Sequence, residues 1–287
     1  RQQRFHQAIH TESRSLSDAA KALLEYFDHA TESGATTATP EEEVDQFLGK
    51  HNYTFPEIDA NPSDPEILRQ LIAQGDQMQS RAAQTIAKKT METYREDAHL
   101  MPLPMFQRFA KMHAFNPAPL ARMFSADMPA VFRRLATLKR DGNDVPEMGL
   151  IIVNAAGQAL HRRPIEGFPL PRHGNACPLW PVFHSFSQPN RPLLDKIDLP
   201  DEKAFFTISV ATPRSDVSYD RPPDYLAAML IIPEDQAAPC ASWIEQHRPP
   251  APVGTSCRIC PRADCISRTE ISIISDIGPR GSSASIV

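Results

Sequence analysis

Met148-Gly149-Leu150-Ile151-Ile152-Val153-Asn154-Ala155-Ala156-Gly157-Gln158-Ala159-Leu160-His161-Arg162 is where the apolar period of the chain changes. Gly149 to Val153 is a continuous apolar run of strand length, Asn154 to Gly157 carries turn residues, and Gln158 to Arg162 reads as a returning strand. A hairpin is predicted here. Further strand candidates lie at Phe205–Ala211, Leu226–Ile232 and Glu270–Ser275. Upstream of Met148 the apolar spacing is helical. The class implied is α+β: a helical N-terminal half, then a mostly antiparallel sheet with short helices, as in small-molecule sensor domains.

The upstream half divides by its caps. Ser15 to Ala30 predicts an amphipathic helix, with Leu16, Ala20, Leu23, Leu24 and Phe27 on one face and Ser15 or Ser17 as cap. Thr31 to Thr39 is a small-residue linker. Thr39-Pro40-Glu41-Glu42-Glu43 opens the next helix with a capping Thr, Pro at the first position and acids in the first turn; it should run through Val44, Phe47 and Leu48 to Gly49. Ser63-x-x-Glu66 predicts a capping box before Ile67, Leu68, Leu71 and Ile72, and a polar helix follows from about Met78 to Asp97. Residues 1–100 are read as a helical linker or oligomerisation region.

Phe106 to Arg140 has helix–turn–helix arithmetic. Pro119–Phe124 is a short helix, Ser125-Ala126-Asp127 a turn with a capping Asp, and Met128–Leu138 a second helix with Met128, Val131, Leu135 and Leu138 inward. Arg133, Arg134, Lys139 and Arg140 could meet phosphates if this pair read DNA. The plainer reading, a helical hairpin packed on its neighbours, is preferred, because the motif alone has many false positives. Residues 101–145 are taken as this hairpin region and 146–287 as the α+β ligand-sensing domain.

Length allows one large or two to three small domains, and 41% hydrophobic with 23% charged residues is enough apolar mass for a real core. A net charge of −5 gives no global basic footprint for nucleic acid. No run approaches the ~18 apolar residues of a membrane span. The 28 prolines, concentrated after Pro102, predict short helices and stiff connections. A chain that opens on Arg1 is read as part of a longer protein.

Chemistry concentrates in Gly254-Thr255-Ser256-Cys257-Arg258-Ile259-Cys260-Pro261-Arg262-Ala263-Asp264-Cys265, which holds three of the five cysteines. A fourth, Cys177, lies in Gly174-Asn175-Ala176-Cys177-Pro178. A C-x2-C turn aims two sulfurs at one point, and four more residues deliver a third. Buried structural thiols, disulfides and a redox-active pair are the competing readings. Arginines around the triad (Arg258, Arg262, Arg268) argue against the first, the odd count against the second, and Cys265 against the third. A four-thiolate metal site at Cys177, Cys257, Cys260 and Cys265 is therefore expected. One C-x2-C instead of two, plus a remote Cys-Pro, favours an iron–sulfur cluster, 4Fe–4S first, over zinc. Cys240 fits no spacing and is read as structural. Despite ten histidines there is no H-E-x-x-H, nor any G-x-S-x-G, P-loop or G-x-G-x-x-G, so an enzyme is not expected.

Residues 101–287 resemble the C-terminal half of the bacterial short-chain acyl-CoA-responsive transcriptional regulators, in which a helix–turn–helix domain precedes an IrrE-like region and a cysteine-bearing ligand domain. The resemblance rests on Met101-Pro102, Leu120-Ala121-x-x-Phe124 and Val131-x-x-Arg134-Leu135-x-x-Leu138, then on Asn154-Ala155-Ala156-Gly157 with Arg162. It is completed by Cys177-Pro178-Leu179-Trp180, Pro189-x-Arg191 and Cys257-Arg258-x-Cys260-x-Arg262-x-Asp264-Cys265-x-x-Arg268. The cysteine motif is its specific part. The zinc-protease motif of the IrrE relatives is absent, and Thr269-Glu270-Ile271-Ser272 stands where an aromatic-proline segment is usual.

The resemblance implies CoA or a short acyl-CoA as effector and control of propionate, methylcitrate and glyoxylate-cycle genes. It also implies promoter DNA bound through a domain not in this chain, a dimer or tetramer, and a cytoplasmic protein. Such an effector needs cations for its phosphates, for which Arg162, Arg163, Arg172, His173 and Arg191 are candidates, and an apolar slot, for which Phe168, Trp180 and Phe183 are candidates.

Overall fold

The computed structural model describes residues 38–138, 144–170, 176–214, 219–220, 222–244 and 249–272. The expected helix Ser15–Ala30, nearly all of the linker after it, Lys139, Arg140, Arg172 and His173 lie outside these. The described residues form two compact units, 38–52 with 65–91, and 53–64 with 92–272.

In the first unit, helix α1 (Pro40–Lys50) begins as expected. The Thr39 hydroxyl accepts the Glu42 N–H while the Glu42 carboxylate accepts the Thr39 N–H, a reciprocal cap. The helix runs one residue past Gly49 and buries Val44, Phe47 and Leu48. A later helix (Glu66–Ala73) has Pro65 at its cap position and no side-chain cap bond, so the Ser63–Glu66 capping box does not form. It is named α3, following α2 (Pro56–Ala60) of the other unit. The polar helix α4 spans Arg81–Leu100, three residues later at each end than its pattern suggested.

The second unit holds α5 (Leu103–Met112), α6 (Pro117–Phe124) and α7 (Met128–Ala136). Asn116 caps α6 through the Ala118 N–H, and Asp127 caps α7 through the Ala130 N–H at 2.7 Å. Val131, Leu135 and Leu138 are buried; Met128 is only partly so. The pair is a packed hairpin. Arg133 grips Asp97 with two bonds of 2.6 and 2.8 Å, and Arg134, 1% exposed, bonds Asp59 and the Met101 carbonyl. Two of the four arginines and lysines considered for phosphate contacts are thus committed to internal carboxylates.

The sheet follows. Its strands are β1 (Gly149–Asn154), β2 (Ala159–Arg163), β3 (Leu193–Asp198), β4 (Ala204–Pro213), β5 (Tyr225–Pro233) and β6 (Ala251–Pro252), in the order β2-β1-β5-β4-β3-β6. All pairings are antiparallel except β3 with β6. The α+β class and the predicted hairpin hold. In the hairpin turn Asn154 Oδ1 accepts the Ala156 and Gln158 N–H groups, and Gly157 adopts φ +80. Among the strands, β3 and β6 were not foreseen; nor were the helices α2, α5 and a short one at Pro181–His184. The expected strand Glu270–Ser275 does not form over its described residues, 270–272, so the cysteine triad follows the last described strand and does not precede one.

Strand alternation sorts the apolar residues into two cores. Leu150, Ile152, Phe206, Ile208, Leu230 and Ile232 face the helices, packing with Phe106, Val131, Phe132 and Leu135. Ile151, Val153, Phe205, Met229 and Ile231 face the other way, onto Phe168, Cys177, Trp180 and Val253. Covering both faces explains why β1 reads as an unbroken apolar run instead of an alternating one. Among the described residues no helix is long and apolar enough to cross a membrane.

Candidate metal centre

The second core is where the cysteines meet. After β2 the chain returns through Cys177 into a short helix, α8 (Pro181–His184). The Cys177 N–H donates to the Thr255 carbonyl at 2.9 Å, and the Gly254 N–H donates back to the Cys177 Sγ at 3.3 Å. Trp180, wholly buried, closes the link by donating Nε1–H to the Gly254 carbonyl at 2.7 Å. Two segments 77 residues apart are thus clamped side by side.

Cys257, Cys260 and Cys265 sit on the loop beyond. A single 3-10 turn, Cys257–Ile259, brings the first two round. All four thiols, Cys177, Cys257, Cys260 and Cys265, line one small pocket of about 20 Å³ whose walls include Leu179, Pro252, Val253, Gly254, Arg262 and Arg268. Cys177 and Cys260 are buried, the other two half-buried. Gly254 leaves the room for this: a Cβ there would stand 2.8 Å from the Cys260 Sγ and 3.9 Å from that of Cys177.

Each arginine of the motif has a distinct task. Arg268 donates to the carbonyls of Cys257, Cys260, Arg262 and Glu270, lacing the loop from within. Arg262 ties the loop to the sheet through the Val253 carbonyl and the Asp198 carboxylate, at 3.2 and 2.8 Å. Arg258 lies outside, within 3.4 Å of Glu270.

The thiols differ in proton affinity. Burial pushes Cys177 up, and the neighbouring Cys257 and Cys260 thiols add to this; the Gly254 and Leu179 N–H groups pull partly back. Partial burial would raise Cys257 as well, but hydrogen bonds from Thr269 and Glu270 and the charge of Arg268 outweigh it, and the net direction is down. Cys240, on the helix-facing core, is pushed up to about 12 by burial alone.

The donor set is all sulfur, with no carboxylate or imidazole among the pocket walls, which suits a thiophilic metal and not a hard one. Among the described residues no three His, Cys, Asp or Glu groups are gathered tightly enough to hold a single ion. The sequence motif did not reveal Gly254 as the cradle, nor Thr255 and Thr269 as partners.

The sequence profile described as "Short-chain fatty acyl coenzyme A regulator, C-terminal" matches residues 137–286, just over half of the chain. The chain belongs to this family. Its relatives include the HTH-type transcriptional regulator PrpR of Mycobacterium tuberculosis, 26% identical over 71% of this chain and 42% of that protein. The propionyl-CoA carboxylase regulator of Cereibacter sphaeroides is 30% identical over 67% and 42%. RamB of M. tuberculosis, also an HTH-type transcriptional regulator, is 23% identical over 66% and 41%. These relatives are regulators, not enzymes. The chain spans about two-fifths of their length. A solved structure of an M. tuberculosis transcriptional regulator shares the fold, with a TM-score of 0.73 and 20% identity over 86% of this chain and 98% of that one.

Among the described residues, those considered for an effector do not form one group. Arg162 pairs with Ile151 and lies on the cysteine face, whereas Arg163 pairs with Leu150 and lies on the helix face. Arg191 is exposed and tied to Gln188 Oε1 at 2.8 Å. Trp180 and Phe168 are core residues, their rings 5.0 Å apart, so Trp180 supports the thiol pocket and presents no face to a ligand. Phe183 is partly buried beside them. An open cleft of about 450 Å³ lined by Glu166, Lys203, Glu234 and Asp235 carries more acids than cations and is poorly suited to phosphates.

Proposed function

We propose that this chain is the effector-binding portion of a bacterial transcriptional regulator of propionate and short-chain fatty acid metabolism. In this reading it binds CoA or a short-chain acyl-CoA and carries an iron–sulfur cluster, 4Fe–4S, on Cys177, Cys257, Cys260 and Cys265. Promoter DNA is met through a helix–turn–helix domain outside this sequence, and the working form is a homodimer or homotetramer in the cytoplasm. That PrpR, RamB and the propionyl-CoA carboxylase regulator are all regulators supports the regulatory role.

The observation that carries the cluster is that four thiols from two remote segments line one pocket. When bound, such a group would supply four metal–sulfur bonds in place of four thiol protons. Cys177 would hold it from the segment after β2, Cys257, Cys260 and Cys265 from the loop after β6, and Arg268 would place a positive charge beside an anionic core. The consequence is a tie between the segment after β2 and the segment after β6, by which the state of the centre reaches the whole sheet.

The test is anaerobic purification with iron and acid-labile sulfide assays, wild type beside Cys260→Ala, and calorimetry of the metal-loaded protein with propionyl-CoA. Brown protein that loses its iron and sulfide in the variant, and that binds the thioester, supports the reading. Colourless protein with stoichiometric zinc and no thioester binding would instead establish a zinc-stabilised interaction module.

A further inference from the structure

The main-chain carbonyls of all three clustered cysteines are bonded to one residue, Arg268. Its Nη1 donates to the Cys257 carbonyl at 3.1 Å and its Nη2 to the Cys260 carbonyl at 3.4 Å, while its own backbone N–H donates to the Cys265 carbonyl at 3.1 Å. The same guanidinium reaches the Arg262 and Glu270 carbonyls, the latter at 3.4 Å. Arg268 also lines the thiol pocket itself. The other two arginines of the loop pair with carboxylates, Arg262 with Asp198 and the exposed Arg258 with Glu270.

Among the described residues after β6 the only regular element is a single 3-10 turn, Cys257–Ile259. Fixing each residue of such a loop costs about 1–2 kcal/mol of backbone entropy, so thiols carried on it converge only if something else holds the turn. Carbonyl oxygens gathered at one point also repel one another. A planar fork of five N–H donors can satisfy several of them in one fixed arrangement, whereas an ammonium carries the same charge with neither the plane nor the fork. Thr269, next in the chain, donates its hydroxyl to the Cys257 Sγ at 3.5 Å. One residue thus holds the cysteine backbones and its neighbour meets a sulfur.

We propose that Arg268 is the positioning residue of the thiol pocket: by holding the carbonyls of Cys257, Cys260 and Cys265 together it sets their three sulfurs in place before a metal is bound. The inference rests on the four-thiolate reading and adds to it a residue that ligates nothing itself. What acts is the forked geometry and not the positive charge alone.

The test compares wild type, Arg268→Gln, Arg268→Lys and Arg258→Gln as full chains. Each is reconstituted anaerobically with ferrous iron and sulfide, and its hold on iron is measured by competition with a chelator. Both Arg268 variants should hold iron about ten- to a hundredfold less tightly, the usual weight of a residue that orients metal ligands without binding metal. Arg258→Gln removes a charge from the same loop but none of the carbonyl bonds, and should match wild type. Amide hydrogen exchange of the metal-free chains, read by mass spectrometry over residues 254–268, should be faster in both Arg268 variants and unchanged in Arg258→Gln. Wild-type iron retention in Arg268→Gln, or full rescue by Arg268→Lys, overturns the assignment. If wild type takes up no iron or sulfide, the four-thiolate reading fails, and the exchange comparison then judges Arg268 separately: equal exchange overturns its role in setting the loop. Arg268→Lys, the gentler change, keeps the test decisive if far-ultraviolet dichroism shows that Arg268→Gln does not fold.

Discussion

Gly254 shows how one missing side chain shapes the thiol pocket. Its N–H reaches the Cys177 Sγ and its carbonyl holds Trp180, while the space a methyl would fill belongs to the Cys260 sulfur. Gly254→Ala is expected to strain the loop by about 1–3 kcal/mol and to lower metal loading well below wild type while far-ultraviolet dichroism stays unchanged. Metal content per chain reads this out. Thiol chemistry separates the cysteines further. In metal-stripped protein at mildly alkaline pH, Cys257, lowered by its hydrogen bonds and Arg268, is expected to alkylate before Cys177, and Cys240 not at all while folded. Peptide mass spectrometry over a time course checks the order. His161 gives the pH dependence. Burial and the charges of Arg133 and Arg163 lower its pKa to about 4 from an unfolded value of 6.5. The native state therefore takes up this proton later than the unfolded chain does. Stability should fall as pH drops from about 6.5 to 4, by at most ~3 kcal/mol, and level off below that. Urea titrations of wild type and His161→Gln in phosphate-free buffer should differ in this slope.

At the scale of elements, α7 shows how a surface-looking sequence can be interior. Arg133-Arg134 next to a turn reads as a phosphate-binding pair, yet both guanidiniums are drawn inward by Asp97 and Asp59, 36 and 75 residues away. No local pattern reveals partners at that separation. Arg134→Met should cost about 3–5 kcal/mol, because it takes the counter-charge from the half-buried Asp59 carboxylate and leaves it the Tyr94 hydroxyl, and Asp59→Asn in the same chain should recover part of the loss; equilibrium unfolding measures both. The elements that were legible have strong local signals: the Thr39 cap with its proline, the Asp127 cap, the Asn154–Gly157 turn, and the long apolar strands β4 and β5. β3 was missed because Leu193-Leu194-Asp195-Lys196-Ile197-Asp198 buries only Ile197 fully and draws its structure from pairing with β4. β6 is two residues in a proline-rich stretch, placed by Asp198 and not by propensity. Ser63 looked like a cap, but Pro65 occupies the capping position.

For the molecule as a whole, the sheet is covered on both sides, by helices on one face and by the cysteine layer on the other. The helical layer is the larger of the two apolar cores. The opposite layer is thinner and ends in a loop whose cohesion comes from Arg262, Arg268 and the Gly254–Trp180–Cys177 clamp, which is where a metal tie would matter most. The sequence motif singled out the four thiols that line one pocket, and Cys177 meets a triad eighty residues on because its backbone and sulfur bond Thr255 and Gly254, just beyond β6. The arginine candidates for an effector are not gathered together: Arg162 and Arg163, neighbours in sequence, face opposite sides of a strand. The most direct measurement is iron and acid-labile sulfide per chain in anaerobically purified protein, for wild type, Cys177→Ala and Cys240→Ala. About four of each in wild type and in Cys240→Ala, lost in Cys177→Ala, is the expected result; full iron and sulfide retained by Cys177→Ala, or zinc in place of iron in wild type, would contradict it.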